Sequence, residues 1–151
     1  MNIRMGCVQD SDAISLLLTR LATKFIVSGF KEEGRSNLLN SMTVPAVQCF
    51  FEDGYRYHLA EVDGQIIGVV GTRDDVHLFH LFVDERFQGQ GISSKLWAIA
   101  QAACLAGDNP GYFTVNSSLN AQAVYLGWGF SPIGGIREGG GVRDMPMRMD
   151  I

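Results

Sequence analysis

Apolar residues in the first third of the chain recur at helical spacing. A short strand is predicted at Asn2–Val8, after which Asp10 or Ser11 can cap a helix. The apolar positions of this helix share one face and comprise Ala13, Ile14, Leu17, Leu18, Leu21 and Phe25. A second helix is predicted at Arg35–Met42, and a third, shorter one begins around Pro45, because proline suits a first helical turn. This part of the chain is therefore predicted to be mainly helical.

From position 55 the pattern changes to runs rich in β-branched and aromatic residues, separated by Asp-Gly and Asp-Asp turns. These runs predict an antiparallel meander of three strands at Tyr55–Val62, Gln65–Arg73 and Val76–Val83. Helical spacing returns in the next segment and stops at a glycine, Gly107. We therefore predict a helix at Ile92–Ala106.

The remaining residues predict shorter elements: a strand at Tyr112–Val115, a brief helix at Asn120–Leu126, and a final hairpin of Phe130–Arg137 with Val142–Met149. The resulting order, in which strands and helices alternate after a helical start, is typical of the α/β (α+β) class. No internal repeat, linker or low-complexity tract divides the chain. We expect residues 1–151 to form a single domain.

Composition and charge limit the classes of function that the chain can have. With 46% hydrophobic and 19% charged residues, the chain has the composition of a soluble globular protein, and it contains no apolar segment long enough for a membrane span. A formal charge of −4 without a basic run disfavours a nucleic-acid partner. Three widely spaced cysteines predict buried free thiols, which suit a reducing compartment, and no metal site. Without a signal peptide pattern, we expect a cytoplasmic protein with no membrane partner.

The segment Leu81–Leu96 predicts an anion-binding site. A buried strand leads through a glycine-containing loop into the start of a helix, where the first N–H groups lack helical acceptors and the helix dipole is positive. Glycines let the main chain approach phosphate oxygens, and the hydroxyls of Ser93 and Ser94 add donors. Neither the P-loop pattern nor the dinucleotide fingerprint fits these residues. A Gly-x-Gly sequence alone is more often a simple turn than a phosphate-binding loop, so the surrounding residues have to distinguish the two.

Two motifs provide that context. Arg86-Phe87-Gln88-Gly89-Gln90-Gly91 resembles the (Q/R)xxGx(G/A) signature of the GNAT N-acetyltransferase superfamily. About 25 residues further on, a segment that begins with Phe113-Thr114-Val115-Asn116 and continues through Ala121, Tyr125 and Gly129-Phe130 resembles the second cofactor motif of that family. The two motifs occur in the family's order. The resemblance implies the GNAT fold, in which about four helices flank a mostly antiparallel mixed sheet of six to seven strands.

The resemblance also implies acetyl-CoA (coenzyme A) as the cofactor and assigns its binding residues. Main-chain groups of Leu81, Phe82 and Val83 would bind the pantetheine arm, together with the Asn116 side chain, and Tyr125 would lie near the thioester sulfur. The pyrophosphate would be bound by the loop and the start of the helix, at Arg86, Gln88, Gly89, Gln90, Gly91, Ile92, Ser93 and Ser94. These assignments follow from the family motif and not from spacing alone.

Acyl transfer to an amine requires a neutral nucleophile and a group that assists the departing thiolate. Family position favours His77 as the base, although a lone strand histidine is often a packed structural residue. Strand alternation places His77 with Phe79, Leu81 and Val83 on one face and His80 on the other. Tyr125 is the candidate that assists the departing thiolate, either as a hydrogen-bond donor or as a general acid. Its ring can also pack the short helix onto the sheet.

The leading hypothesis is an acetyl-CoA-dependent N-acyltransferase that acts on a primary amine of a small molecule or peptide by direct attack. The alternative is a non-catalytic acyl-CoA-binding sensor module on the same fold, because a fold does not guarantee activity. An adaptor that only binds protein would leave the glycine loop without a role. The resemblance also allows a homodimer. No motif identifies the acceptor.

Overall fold

The computed structural model describes every residue of the chain, Met1–Ile151. The five α-helices are α1 (Ser11–Phe25), α2 (Glu32–Asn40), α3 (Val44–Glu52), α4 (Ile92–Ala106) and α5 (Gln122–Gly127). The eight strands are β1 (Asn2–Met5), β2 (Arg56–Val62), β3 (Gln65–Arg73), β4 (His77–Val83), β5 (Tyr112–Ser117), β6 (Ser131–Pro132), β7 (Arg137–Gly139) and β8 (Val142–Asp150). No helix combines the length and the apolar character needed to cross a membrane.

The strands form one sheet in the order β1-β2-β3-β4-β5-β8-β6, and β7 pairs with the start of β8. All neighbours are antiparallel except β4 and β5. These two strands are parallel because α4 carries the chain back across the sheet between them. The predicted mostly antiparallel mixed sheet is confirmed.

Helices cover both faces of the sheet and bury two apolar clusters. On one face, α1 and α3 pack over β2 and β3, where Tyr57, Leu59 and Val69 are fully buried. On the other face, α4 and α5 cover a larger cluster. The predicted apolar face of α1 is buried except at its two ends, where Ala13 and Phe25 are exposed.

Several predicted elements differ from the structure in their bounds, and the helix predicted at Arg35–Met42 lies at Glu32–Asn40. β1 ends at Met5 and not at Val8, because the Asp10 carboxylate accepts a hydrogen bond from the Cys7 N–H and turns the chain into a 3₁₀ helix. The final hairpin is confirmed at its turn, but the strand predicted at 130–137 is split into β6 and β7 by Ile133–Ile136. This interruption contains two consecutive glycines, which are poor strand formers.

The three cysteines are free, but only Cys104 is buried. Cys7 lies in the turn before α1 and Cys49 lies on α3, and both are exposed. The prediction of buried thiols is therefore wrong for two of the three cysteines.

A β-bulge in β4 changes which residues share a face. Gly71 of β3 pairs with His80, but its neighbour Thr72 pairs with Leu78, so Phe79 is an extra residue without a partner on β3. After Phe79 the alternation is reversed. Leu81 packs with Leu78 against the α4 cluster, and the His80 ring contacts Tyr57 on the α1 side. The prediction that His77 shares a face with Leu81 and Val83, and that His80 lies on the opposite face, is wrong for this reason.

Candidate active site

The central feature of the molecule is a gap between β4 and β5. These parallel strands pair only at His77 with Thr114 and at Leu78 with Val115. Beyond that point they separate, and a cleft of about 740 Å³ opens between them. The main-chain groups of Leu81–Val83 on this side have no strand partner. The Gln88 side-chain amide donates to the Val83 carbonyl oxygen at 3.0 Å and folds the start of the glycine loop against the strand.

The glycine loop lies at one end of the cleft and presents unpaired N–H groups. Gly89 and Gly91 have φ angles of 79° and 76°, in the left-handed region that favours glycine. A Cβ atom added at either glycine would meet no protein atom within 4 Å, so the space above the loop is open. The first intrahelical bond runs from the Lys95 N–H to the Gly91 carbonyl, and the N–H groups of residues 89–94 have no acceptor in the protein. Six adjacent donors at a helix N-terminus fit a pyrophosphate.

Asp84, for which no role was predicted from the sequence, anchors this loop. Its carboxylate accepts hydrogen bonds from the main-chain N–H, Nε and Nη2 of Arg86 and from Nη2 of Arg20, at 2.9 to 3.1 Å. These bonds, those from Arg86 foremost, lower the pKa of Asp84 to about 2 although burial opposes the change. The Arg86 side chain, expected at the cofactor, is largely exposed and forms an ion pair with Asp84 through Nε and Nη2. In the sequence, the sign of this role was an Asp-x-Arg pattern that directly follows a buried strand.

Asn116 and Tyr125 line the same cleft. Asn116 is exposed near the end of β5, and its side chain has no hydrogen-bond partner in the protein. The Tyr125 ring is 6% exposed and packs edge-on against Trp128 and Phe130. Burial raises the pKa of Tyr125 to about 12, so the phenol keeps its proton at neutral pH. Its hydroxyl is available to a ligand because no protein group bonds to it.

His77 lies where β4 and β5 meet, and it also lines the cleft. Its Nδ1 lies 2.7 Å from the Thr114 hydroxyl oxygen, while Nε2 has no protein partner. Burial, reinforced by the charges of Arg73 and Arg137, lowers the pKa of His77 to about 4. His77 is therefore neutral at pH 7. In the tautomer whose Nδ1–H donates to Thr114, Nε2 carries a free lone pair.

His80 lines the cleft as well, because the bulge turns it toward the side of His77. Its Nδ1 lies 3.0 Å from the Tyr57 hydroxyl. Burial lowers the pKa of His80 to about 3 and raises that of Tyr57, so both side chains are neutral. His80 lies among aromatic rings, the nearest being Phe79 at 4.1 Å between centroids.

The other wall of the cleft comes from the N-terminal helical region and the final hairpin, where no individual site residue was predicted from the sequence. The end of α1 and the following segment supply Phe25, Ile26 and Phe30, and the start of β8 supplies Arg143 and Asp144. The side-chain amide of Asn120 donates to the Phe25 carbonyl oxygen at 2.6 Å and ties the loop after β5 to this wall. Asp144 is bound at both carboxylate oxygens by Arg137, at 2.8 and 2.9 Å. These side chains carry no recognisable motif, so only the fold reveals their shared position.

Comparison with known proteins agrees with this geometry. A family model described as the acetyltransferase (GNAT) domain matches residues 26–151. A search of curated proteins finds no significant match. Among solved structures, a GCN5-related N-acetyltransferase from Rhodopseudomonas palustris superposes with a TM-score of 0.81 at 14% identity, over 99% of this chain and 95% of that one.

Two further neighbours were solved with coenzyme A. The PaiA N-acetyltransferase from Thermoplasma acidophilum has a TM-score of 0.75 at 14% identity, with all of both chains covered. An aminoglycoside 6'-N-acetyltransferase has a TM-score of 0.72 at 12% identity, over 99% of this chain and 97% of that one. At such identities the likeness concerns the fold, whereas the family match spans most of the sequence. The chain belongs to the GNAT acetyltransferase family, whose members use acetyl-CoA.

Proposed function

We propose that this protein transfers the acetyl group of acetyl-CoA to a primary amine of a small molecule or peptide, by direct attack of the amine. The observation that carries the proposal is a single cleft that joins three features. These are the unpaired edge of β4, the acceptor-free N–H groups of residues 89–94, and the neutral side chains of His77 and Tyr125.

The residues present fit the cofactor. The amides from Gly89 to Ser94, with the serine hydroxyls, would bind the pyrophosphate, and the main chain of Leu81–Val83 and the Asn116 amide would bind the pantetheine arm. Acetyl-CoA supplies an activated acetyl carbon, to which the amine nitrogen forms its bond, and a thiolate that leaves with the electrons of the broken C–S bond. The chain itself has to position the amine and handle the proton.

His77 is suited to receive a proton late in the reaction and not to activate an ammonium ion. Its pKa of about 4 lies roughly six units below the 10.4 of an alkyl ammonium, so proton transfer between them would be uphill by about 8 kcal/mol. The amine must therefore enter the largely apolar cleft in its neutral form. As its lone pair is shared with the acetyl carbon, the nitrogen becomes acidic, and His77 Nε2 accepts the proton that it releases.

Tyr125 acts on the sulfur side as a hydrogen-bond donor. With a pKa of about 12, it lies roughly 3.5 units above a thiol of pKa 8.5, and full transfer of its proton would cost about 5 kcal/mol. Tyr125 therefore keeps its proton and donates a charge-assisted hydrogen bond to the developing thiolate. Of the two roles considered for this residue from the sequence, general acid and hydrogen-bond donor, the buried environment favours the second.

The proposal is tested by calorimetric titration of the purified protein with acetyl-CoA, alongside a thiol-release assay with a panel of amines and N-terminal peptides. We expect saturable binding and turnover of at least one amine. Binding without turnover of any amine would support the acyl-CoA sensor instead. No binding would refute both and return the glycine loop to a structural turn.

A further inference from the structure

Arg143 differs from every other arginine of the chain. Eight of the nine arginine side chains donate to a carboxylate or a carbonyl oxygen within the protein: Arg4, Arg20, Arg35, Arg56, Arg73, Arg86, Arg137 and Arg148. Arg143 makes no ion pair, and its Nε is buried without a hydrogen-bond partner. A buried donor left unpaired is destabilising, so such a group is normally satisfied by protein, water or ligand.

No protein carboxylate is placed to pair with Arg143. The adjacent Asp144 is bound at both oxygens by Arg137. Glu138 lies opposite Arg143 in the β7–β8 pairing, but the two side chains form no ion pair. The positive charge of Arg143 is therefore free to meet an anion from outside the chain.

The position of Arg143 indicates which ligand would supply that anion. Arg143 lines the cleft together with His77, and it also lines a smaller cavity of about 130 Å³ beside the end of α1 and the loop after β5. Phe25, Ile26 and Phe30 border both spaces. The glycine loop lines the large cleft but not the smaller cavity, so Arg143 also borders a second space that the phosphate cradle does not reach. The partner of Arg143 would be the molecule that brings the amine to His77.

We propose that Arg143 selects an acceptor that carries a carboxylate as well as its primary amine, that is, an amino acid or a close analogue. The guanidinium would bind the carboxylate through two parallel N–H···O bonds, one of them from the now unpaired Nε. The aromatic side chains at the end of α1 would contact the apolar part of the acceptor. This inference rests on the proposed function, because it concerns the second substrate of the same cleft.

The test compares the standard amino acids with their carboxamides, which keep the amine and side chain but lack the carboxylate charge. Thiol release is measured for each pair, and kcat/KM is expressed per neutral amine so that differences in amine pKa cancel. We expect at least one amino acid to exceed its carboxamide by tenfold or more. Arg143→Met should raise KM for the amino acid roughly 10- to 100-fold and raise KM for the carboxamide much less, so that the preference is lost. Arg143→Lys retains part of it.

Arg148→Met is the matched control, because Arg148 lies on the same strand, contacts Asp150 and the Tyr112 ring, and does not line the cleft. It should preserve the preference. A second measurement needs no turnover: amino acids should raise the Tm of the CoA-saturated protein more than their carboxamides do, and Arg143→Met should abolish the difference. The inference is overturned if acid and amide are equivalent in both assays, or if Arg143→Met affects them equally. Turnover of uncharged amines in that case would leave the proposed function intact.

Discussion

The valine substitution of Gly89 tests the phosphate cradle most directly. At a φ of 79°, a non-glycine residue is strained, and a β-branched side chain especially so. The added atoms meet no protein atom, and because Gly89 lines the cleft, we expect them to obstruct the space proposed for the pyrophosphate. We expect Gly89→Val to fold with reduced stability and to lose acetyl-CoA binding.

The expected loss of acetyl-CoA affinity follows from the number of main-chain hydrogen bonds to phosphate that the valine side chain would prevent. Each main-chain N–H bonded to a charged phosphate contributes about 1.5–3 kcal/mol. Loss of two such bonds raises the Kd about 10²- to 10⁴-fold, at 1.4 kcal/mol per factor of ten. The backbone strain costs about 1–3 kcal/mol of folding stability, and each kcal/mol lowers the Tm of a domain of this size by about 2–4 °C.

Gly54→Val is a matched control for strain. Gly54 has a φ of 88°, an added Cβ there also meets no protein atom, and the residue does not line the cleft. Calorimetry should give a wild-type Kd for this variant, while thermal unfolding should give a Tm loss similar to that of Gly89→Val. The reasoning is refuted if Gly89→Val binds acetyl-CoA normally, or if Gly54→Val loses binding to the same extent.

Three further predictions concern single side chains. Tyr125→Phe should lower kcat roughly 10- to 100-fold and leave the acetyl-CoA Kd unchanged. Tyr112→Phe is the control, because Tyr112 lies outside the cleft, and it should change neither constant. An unaffected kcat for Tyr125→Phe would mean that Tyr125 acts only in packing. His77→Gln should lower kcat by about 10²-fold, and the wild-type pH–rate profile should have no break near 6.5, because the pKa of His77 is about 4; a break there would contradict the buried, neutral imidazole. Asp84 has a pKa of about 2 in the folded protein, below its usual 3.8, so its carboxylate stabilises the fold above pH 3.8 and this contribution is lost as the pH falls through 2. Urea unfolding of Asp84→Asn should therefore give about 2 kcal/mol less stability at pH 7 and a smaller decline between pH 4 and pH 2, and an unchanged decline would exclude Asp84 as its source.

The phosphate loop and its helix could be predicted from the sequence because local chemistry determines them. Glycines at positions that require positive φ, and a helical apolar pattern that stops at Gly107, do not depend on distant contacts. The structure places α4 at Ile92–Ala106, the bounds predicted from that pattern. The cofactor-binding residues remain predictions, although the open space and free N–H groups at the loop support them.

The face of His80 could not be predicted, because no polar position between Leu78 and Val83 other than His80 itself marks the alternation. The reversal at Phe79 depends on how β4 pairs with β3, beside Gly71, where an added Cβ would lie 2.5 Å from the Tyr57 ring. Arg143 escaped prediction for a related reason. Arg143 is notable because its Nε has no hydrogen-bond partner. The lack of a partner can be recognised only when the positions of all neighbouring side chains are known.

The separation of β4 from β5 gives the protein an unpaired strand edge in the middle of its sheet. Such edges usually occur at the outer strands, where they invite pairing with other chains. Here the main chain of Leu81–Val83 is exposed only to the cleft, so an extended ligand can act as the missing strand. Ligand binding would then make the sheet continuous, and amide hydrogens of β4 should exchange more slowly in the bound protein. The stability of the two halves of the sheet would become coupled through the molecule that lies between them.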